Sequence, residues 1–218
     1  MNYRKPLLAA LLIMATLHLS AHTINYQLER VPIQNVVWYY LILGYKHILP
    51  DGFDHILFVA GLCLLSTNIR TLLWQATAFT VAHTLTLILS MKNIIVVPPA
   101  IVEPIIALSI AFIAIENIVM TELKPWRVLV VFAFGLVHGM GFASALNELG
   151  LPRNAFYTSL ISFNVGVELG QATIILGIYF SLIYWFGHKP WYRKYIVYPL
   201  SGLIALVAVY WTVTRLIA

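Results

Sequence analysis

The chain has 218 residues, of which 61% are hydrophobic and only 10% charged. Because a soluble domain carries about 25% charged residues, this composition excludes an ordinary soluble enzyme and indicates a polytopic membrane protein. The net charge of +5 lies mostly at the ends of apolar segments, which suits lipid headgroups and argues against a nucleic-acid partner. Cys63 is the only cysteine, so neither an internal disulfide nor a thiolate metal cluster can form.

The amino-terminal segment, residues 1–21, has the order of a signal peptide: basic residues, a short apolar run, then small residues. We expect cleavage after Ser20 or Ala21, and an uncleaved first helix is the alternative. Cleavage would leave His22 at or beside the mature amino terminus, where amine, amide nitrogen and imidazole could chelate a metal. The remainder, residues 22–218, is predicted to be a single transmembrane helical domain.

A short polar stretch interrupts the hydrophobic sequence at residues 44–55, GYKHILPDGFDH. It places His47, Asp51, Asp54 and His55 around a Pro-Asp-Gly break. Charged groups at membrane depth are costly and are usually retained for function. Imidazole and carboxylate together form a ligand set for a divalent first-row metal. This stretch is therefore the first candidate metal site.

The apolar segments on either side of the break, residues 36–49 and 53–67, are short for membrane spans. They can form two tilted spans, a re-entrant pair or one broken span, and the choice determines the orientation of all later segments. With a cleaved signal, only the broken span places the basic loops inside, as the positive-inside rule requires. Those loops hold Arg70, Lys124, Arg127, Lys189, Arg193 and Lys194.

Two further spans carry isolated polar residues. Residues 71–90 hold His83 in mid-span, where it is either a metal ligand or a structural histidine. Residues 97–120 hold Glu103 near the start and Glu116 near the far end. We predict both carboxylates as residues of an ion pathway, with a solvated position at the membrane interface as the alternative.

The segment 126–149 places His138 in a glycine-rich stretch. Gly135 and Gly139 form a small-xxx-small pair, which lets two helices approach closely. The backbone around His138 is therefore expected to pack against a neighbour, with its ring inside the bundle. We predict His138 as a ligand or as a residue that supports the ligands.

The next segment, residues 156–186, carries Asn164, Glu168 and Gln171. Their spacing of four and three puts all three on one helix face, which is difficult to explain as a solvated surface at mid-span. They are predicted to line the pathway, and interhelical hydrogen bonding is the alternative. The last segment, 195–217, has no acid and no histidine, so we expect it to serve packing.

Five ordered blocks between about residues 40 and 215 resemble the HupE/UreJ family of membrane proteins, in its second branch. They are LGYKHILPDGFDHILFVAGLCLLS, LLWQATAFTVAHTLTL, PPAIVEPIIALSIAFIAIEN, FGLVHGMGFASALNELGLPR and FNVGVELGQ. The resemblance implies a small polytopic protein, often with a cleaved signal, that is associated with nickel or cobalt supply to hydrogenase and urease.

The wider nickel/cobalt permeases show a His, four residues and then Asp-His, together with a Gly-His-Ser/Thr block. Here His47 and Asp54-His55 match the first pattern with six residues between them. His83, preceded by alanine where those permeases have glycine, resembles the second. This altered spacing leaves the metal open: nickel or cobalt first, with copper or zinc as alternatives.

We therefore predict an all-α polytopic transmembrane bundle of about seven membrane segments after the signal-like segment, the first two short. The predicted function is a divalent-metal permease, not an enzyme, that holds its ion by His47, Asp54, His55 and His83. Without a phosphate-binding glycine-rich loop, transport would be secondary or facilitated. The predicted pathway or supporting residues are His138, Glu168, Asn164, Gln171, Asp51, Glu103 and Glu116.

Two other functions stay open on the sequence. A non-transporting accessory protein would bind one metal and contact a metalloenzyme maturation partner. An intramembrane zinc hydrolase would use histidines, an aspartate and a zinc-bound water. In each case the expected partners are the lipid bilayer and a metal ion, with no nucleic acid, and the expected location is the bacterial inner membrane.

Overall fold

The structure, a computed structural model, describes residues 25–217, and within them it contains helices but no strands. The main helices are α1 (Ile33–Ile48), α2 (Phe53–Leu65), α3 (Ile69–Met91), α4 (Pro99–Val119), α5 (Arg127–Leu149), α6 (Phe156–Ile178) and α7 (Tyr198–Ile217). The predicted all-α fold is confirmed. The signal-like segment 1–21 and His22 lie outside the described residues.

Short helical segments connect or extend the main helices. Two 3-10 helices, Leu28–Arg30 and Arg153–Ala155, precede α1 and α6. A π-helical segment, Tyr179–Ile183, and the turn Tyr184–Phe186 prolong α6, and a second π-helical segment, Arg193–Val197, leads into α7.

Local sequence accounts for several helix boundaries. Pro32 immediately precedes α1, and α4 begins at Pro99, whose missing N–H costs nothing in a first helical turn. The Asn68 side chain caps α3 by accepting hydrogen bonds from the backbone N–H groups of Arg70 and Thr71, at 3.0 and 3.3 Å. Gly150 ends α5 with φ 76°, a conformation that favours glycine.

Five helical segments, α3 to α7 with their extensions, are long and apolar enough to cross a membrane. The helices α1 and α2 meet the same criterion only as a pair, with a bend of 67° between them, which raises the number of passes to six. Large hydrophobic side chains such as Trp74, Leu129 and Leu206 are exposed on the outer surface. The described chain is therefore a polytopic membrane bundle, whose helices satisfy their backbone groups internally in lipid.

The pair α1–α2 crosses the bundle as one broken span. Ile48, the last residue of α1, packs against Gly170 in the second half of α6. Thr67, just beyond α2, packs against Gly187, which follows the extension of α6. The two short helices therefore run along α6 one after the other in the same direction. A re-entrant α2 would have returned Thr67 towards the start of α6.

Contacts between distant residues define the two ends of the bundle. At the end where α1 begins, the Tyr40 hydroxyl donates to the Gly150 carbonyl at 2.7 Å, and Arg215 donates to the Glu103 carbonyl at 3.2 Å. At the other end, Arg193 donates to carbonyls at the end of α4. We call these the α1 end and the opposite end. The described chain both begins and finishes at the α1 end.

Glycines allow close contact between parallel helices. Side chains at Gly135 and Gly139 in α5 would collide with α3, and a Cβ on Gly139 would overlap the carbonyl of His83. The close packing predicted from this glycine pair is confirmed. The same device joins α1 to α6, where a Cβ on Gly44 would overlap the backbone of Phe163.

Two clusters of buried apolar side chains fill the bundle, one towards each end. The cluster towards the opposite end includes Phe58, Val59, Leu62, Cys63, Phe79, Ile113 and Val131. The cluster towards the α1 end includes Val36, Tyr40, Leu87, Ala143, Leu146 and Phe163. On α3, His83 lies midway between Phe79 of the first cluster and Leu87 of the second. The histidine layer thus separates two hydrophobic cores.

One ion pair is buried within the opposite end. Arg127 Nε lies 3.1 Å from Glu116 Oε2, and their side chains are 0% and 4% exposed. Arg127 also donates to Asn117 Oδ1 at 3.2 Å, and Asn117 Nδ2 donates to the Gly61 carbonyl at 2.8 Å. The sequence-based placement of Arg127 in a solvated basic loop is therefore wrong. Its charge is retained in the bundle because Glu116 neutralises it.

Candidate metal centre

The break between α1 and α2 brings two histidines together. His47 lies in the last turn of α1 and His55 in the first turn of α2, and their ring centroids are 4.7 Å apart. The turn between the two helices is so tight at Gly52 that a Cβ there would overlap the carbonyl of His47, so this position requires glycine. The polar stretch predicted from sequence is therefore a hinge that places both imidazoles inside the bundle.

His83 completes a group of three imidazoles. One ring nitrogen from each of His47, His55 and His83 lies within 4.8 Å of the others. The three residues come from three different helices, so only the folded bundle assembles the group. Nitrogen ligands about 2.1 Å from a tetrahedral ion are roughly 3.4 Å apart, so the rings need to close by about 1 Å to hold one.

The ring of His83 is oriented by a buried amide. Asn164 Nδ2 donates to the Leu160 carbonyl at 2.8 Å, which identifies Oδ1 as the atom that faces His83 Nδ1 at 3.2 Å. Since an amide oxygen only accepts, His83 carries its proton on Nδ1 and leaves the Nε2 lone pair free. Histidines that bind metals are commonly held through the other ring nitrogen in this way.

The ring of His138 is likewise oriented by one hydrogen bond, to Ser109 of α4. The Ser109 hydroxyl donates to the Ile106 carbonyl at 2.7 Å, so its oxygen accepts from His138 Nε2 at 3.2 Å. The His138 ring centroid lies 5.1 Å from that of His55. His138 therefore lies beside the three-histidine group and presents Nδ1 as its free lone pair.

The free nitrogens of these histidines have no protein partner among the described residues. They are Nε2 of His47, His55 and His83 and Nδ1 of His138. Aromatic walls surround them: the His47 and Phe142 centroids are 3.9 Å apart, and those of Phe79 and His138 are 4.9 Å apart. Buried polar atoms are nearly always hydrogen-bonded, so four unpartnered nitrogens in one layer need an explanation, and a ligand supplies one.

A cavity of about 520 Å³ leads from the surface to the histidines. Its inner wall includes His47, His55 and His138, and its mouth includes the exposed Asp51 and Glu103. These two carboxylates give the mouth a negative lining that attracts cations. The positions of both residues suit the predicted pathway role.

Asp54 lines the same cavity, yet its carboxylate is held by a cation. Arg215, in the last turn of α7, donates to both Asp54 oxygens at 3.1 Å. The group of three imidazoles thus assembles without Asp54, which the sequence analysis predicted as a ligand beside His55. Sequence reasoning assigned α7 to packing and missed Arg215, although a single arginine ending an uncharged helix was a visible signal.

The polar stripe on α6 faces α3. The Thr77 hydroxyl donates to Glu168 Oε1 at 2.6 Å, and that of Thr80 to Gln171 Oε1 at 3.0 Å. A groove of about 230 Å³ between the two helices is lined by Glu168, Thr77 and Asn164. The stripe therefore continues from the amide that orients His83 towards the opposite end. Glu116, by contrast, lies away from the histidines in the ion pair with Arg127.

The comparisons with known proteins agree with this architecture. A profile of the family described as HupE / UreJ protein matches residues 11–215, nearly the whole chain. No curated protein and no solved structure matches. The chain belongs to the HupE / UreJ protein family.

Proposed function

We propose that this protein is a permease for a divalent transition metal, of which nickel and cobalt are the first candidates. One observation carries the proposal: three helices bring ring nitrogens of His47, His55 and His83 within 4.8 Å of one another in the middle of a membrane bundle. Family membership indicates a role in nickel or cobalt handling and supports the choice of metal.

The donor set suits an ion that must be released again. Neutral imidazole binds nickel, cobalt, copper and zinc, whereas the harder magnesium and calcium prefer oxygen ligands. A thiolate would bind more firmly, but Cys63 lies in the apolar cluster towards the opposite end. Conduction requires binding strong enough to admit an ion and weak enough to release it. His47, His55 and His83, with Asp54 beside them, meet both requirements.

We propose a route for the ion on both sides of the histidines. From the α1 end, the cavity passes Asp51 and Glu103 to reach His47, His55 and His138. Beyond them, the polar stripe of Asn164, Glu168 and Gln171 continues between α3 and α6. We assign the first part to entry and the second to exit, with His138 supporting the binding site.

The distribution of positive charge orients the bundle. Basic residues are more numerous at the opposite end than at the α1 end, and the positive-inside rule places the richer end in the cytoplasm. Arg127 is left out of this comparison because Glu116 neutralises it within the bundle, and Lys46 because it lies at neither end, in the last turn of α1. The opposite end then holds Arg70, Lys124, Lys189, Arg193 and Lys194, and the α1 end Arg30, Lys92, Arg153 and Arg215. We therefore propose a bacterial inner-membrane protein whose cavity opens outward, which agrees with a cleaved signal over residues 1–21.

A second candidate function is a non-transporting accessory protein for a metalloenzyme. The packing below the histidines favours it: Phe58, Leu62 and Phe79 are 0–1% exposed and fill the bundle between the histidine layer and the opposite end. A permease has to open this packing during each cycle, whereas a metal-binding accessory protein does not. An intramembrane zinc hydrolase would use the same three imidazoles and a zinc-bound water in the cavity.

The number of metal ions bound per chain tests the proposed binding site. The purified protein is incubated with nickel, cobalt, copper or zinc in turn, passed through a desalting column, and analysed by mass spectrometry. We expect close to one ion per wild-type chain and none in the His55→Ala variant. The exposed His188 provides the matched control, and His188→Ala should bind as the wild type does. Equal metal content in all three proteins would contradict the proposed site.

Transport is then measured in proteoliposomes loaded with a fluorescent metal indicator. A permease gives uptake of the ion that binds, and His55→Ala abolishes it. Binding without uptake would favour the accessory protein. Binding of zinc alone, with cleavage of added peptides that His55→Ala abolishes, would favour the hydrolase.

A further inference from the structure

Arg215 places a positive charge at the entrance of a site proposed for a cation. Its guanidinium donates to both Asp54 oxygens at 3.1 Å, and one further nitrogen donates to the Glu103 carbonyl at 3.2 Å. It also lies over the Trp211 ring, 5.3 Å from its centroid. Both Arg215 and Trp211 line the cavity that leads to the histidines. A cation that has passed the carboxylates at the mouth therefore also meets the guanidinium on its way to the histidines.

A purely structural role is one explanation for this pair. Asp54 lies in the first turn of α2 and Arg215 in the last turn of α7, where the helix dipoles favour their charges. The pair would then hold two helices together. Solvent in the cavity reaches this pair, because the side chains are 24% and 25% exposed, so it is held less firmly than the buried pair of Arg127 and Glu116.

Two neighbours make an exchange of partners feasible. Asp54 adjoins His55 in the chain and lines the same cavity, and His55 Nε2 has no partner, so an ion at the imidazoles would share one cavity with this carboxylate. Glu103 has an exposed carboxylate in the same cavity, and Arg215 already contacts its backbone. A guanidinium released by Asp54 therefore has a second carboxylate within its surroundings.

We propose that Arg215 is a charge gate: it holds Asp54 while the site is empty and gives up that carboxylate to an incoming divalent ion, then pairs with Glu103. No covalent bond changes, and one carboxylate replaces another as the partner of the guanidinium. The exchange selects for charge, because a monovalent cation competes poorly with a guanidinium whose Nη2 donates to both Asp54 oxygens. This inference rests on the proposed metal site and adds to it the residue that controls entry.

Equilibrium dialysis of the purified protein against nickel or cobalt tests the gate. The main variant is Arg215→Lys, which keeps the positive charge but loses the planar guanidinium that bonds to Asp54 through Nη2 and to the Glu103 carbonyl through Nη1. The exchange predicts a several-fold gain in metal affinity, since Asp54 is released more readily. Asp54→Asn should weaken binding, and Arg215→Lys should give no gain in that background. Arg70→Lys, an exposed arginine at the opposite end, is the matched control and should change nothing.

A second variant keeps the test decisive if the lysine variant folds poorly. Glu103→Gln removes the waiting carboxylate and should lower metal affinity more than Asp51→Asn, which removes the other carboxylate of the cavity mouth and leaves the exchange intact. Equal losses in the two variants would show only the attraction of the mouth for cations and would count against the exchange. Thermal unfolding of each metal-free variant confirms that the comparison concerns folded protein.

The outcomes separate this inference from the function on which it rests. Metal binding that is lost in His55→Ala but unchanged in both Arg215→Lys and Glu103→Gln would overturn the gate and leave the permease proposal in place. Absence of metal binding by the wild type would overturn both. A gain in Arg215→Lys that persists in the Asp54→Asn background would show simple repulsion and refute the exchange.

Discussion

The histidine layer and the opposite end of the bundle treat buried polar groups in contrasting ways. At the opposite end, Arg127 and Glu116 lie 3.1 Å apart, and Asn117 bonds to the arginine and to a neighbouring helix. In the histidine layer, one nitrogen of each ring has no protein partner, and the three of the metal group converge. The first arrangement neutralises charge inside the fold, whereas the second keeps the lone pairs of imidazole nitrogens available to a ligand.

The comparison shows that a buried polar group in a membrane protein is compensated either by another group of the fold or by a bound ligand. A buried ion pair is retained when each partner compensates the other. The imidazole nitrogens without a partner receive no such compensation from the fold, so an external ligand has to supply it. Substitutions in the two regions should therefore have opposite signatures, one on stability and the other on metal affinity.

The largest expected effect is on stability, from Arg127→Met. Removing the guanidinium leaves Glu116 buried without a partner, and breaking a buried pair in this way costs about 3–5 kcal/mol. Unfolding of the purified protein in increasing denaturing detergent measures the loss. The exposed pair Lys124 and Glu122, 3.7 Å apart, provides the control, and Lys124→Met should shift stability by less than about 1 kcal/mol. Similar shifts in both variants would show that burial of the pair has no structural importance.

His55→Leu should have the opposite signature. The metal-free variant should be as stable as the wild type within about 1 kcal/mol, because an apolar side chain replaces a buried nitrogen that has no partner. Its metal affinity should fall by more than the roughly 100-fold that a supporting contact can account for. Unfolding and equilibrium dialysis on the same preparation measure both quantities. A large loss of stability without metal would make His55 a structural residue.

Asn164→Leu should weaken metal binding without removing a ligand. The substitution deletes the oxygen that accepts from His83 Nδ1, so the ring loses its fixed tautomer and orientation. Loss of such a contact typically lowers metal affinity about 10–100-fold. Equilibrium dialysis measures the change, with Asn154→Ala, in the short 3-10 helix before α6 and exposed, as the control. An unchanged affinity would exclude His83 from the site.

The smallest expected effect comes from Ser109→Ala. His138 loses its acceptor but lies beside the three-histidine group, so affinity should fall by about fivefold or less, the equivalent of one neutral hydrogen bond of about 1 kcal/mol. Ser181→Ala removes a hydroxyl that bonds to a carbonyl on the exposed surface and should have no effect. A fall in metal affinity as large as that of His55→Leu would show that His138 is a direct ligand.

Much of the fold was predictable because its signals are local. Apolar runs of helical length and the glycines of α5 each act within a few residues, and the structure confirms them. Arg127 escaped prediction because its position at a helix start looks solvated in sequence. Only packing against α4 reveals that Glu116 lies close enough to neutralise it.

The candidate site divides in the same way. The chain by itself determined that a membrane bundle carries histidines at mid-span beside a Pro-Asp-Gly break, because composition and residue order show this directly. The sequence analysis also predicted His83, 28 positions after His55, as a partner of His47 and His55. The tertiary structure alone decided how closely their ring nitrogens approach and that Arg215, 161 positions after Asp54, reaches its carboxylate. Distances between side chains on different helices depend on how those helices cross, and crossing is set by the whole packed interface, not by any short stretch of sequence.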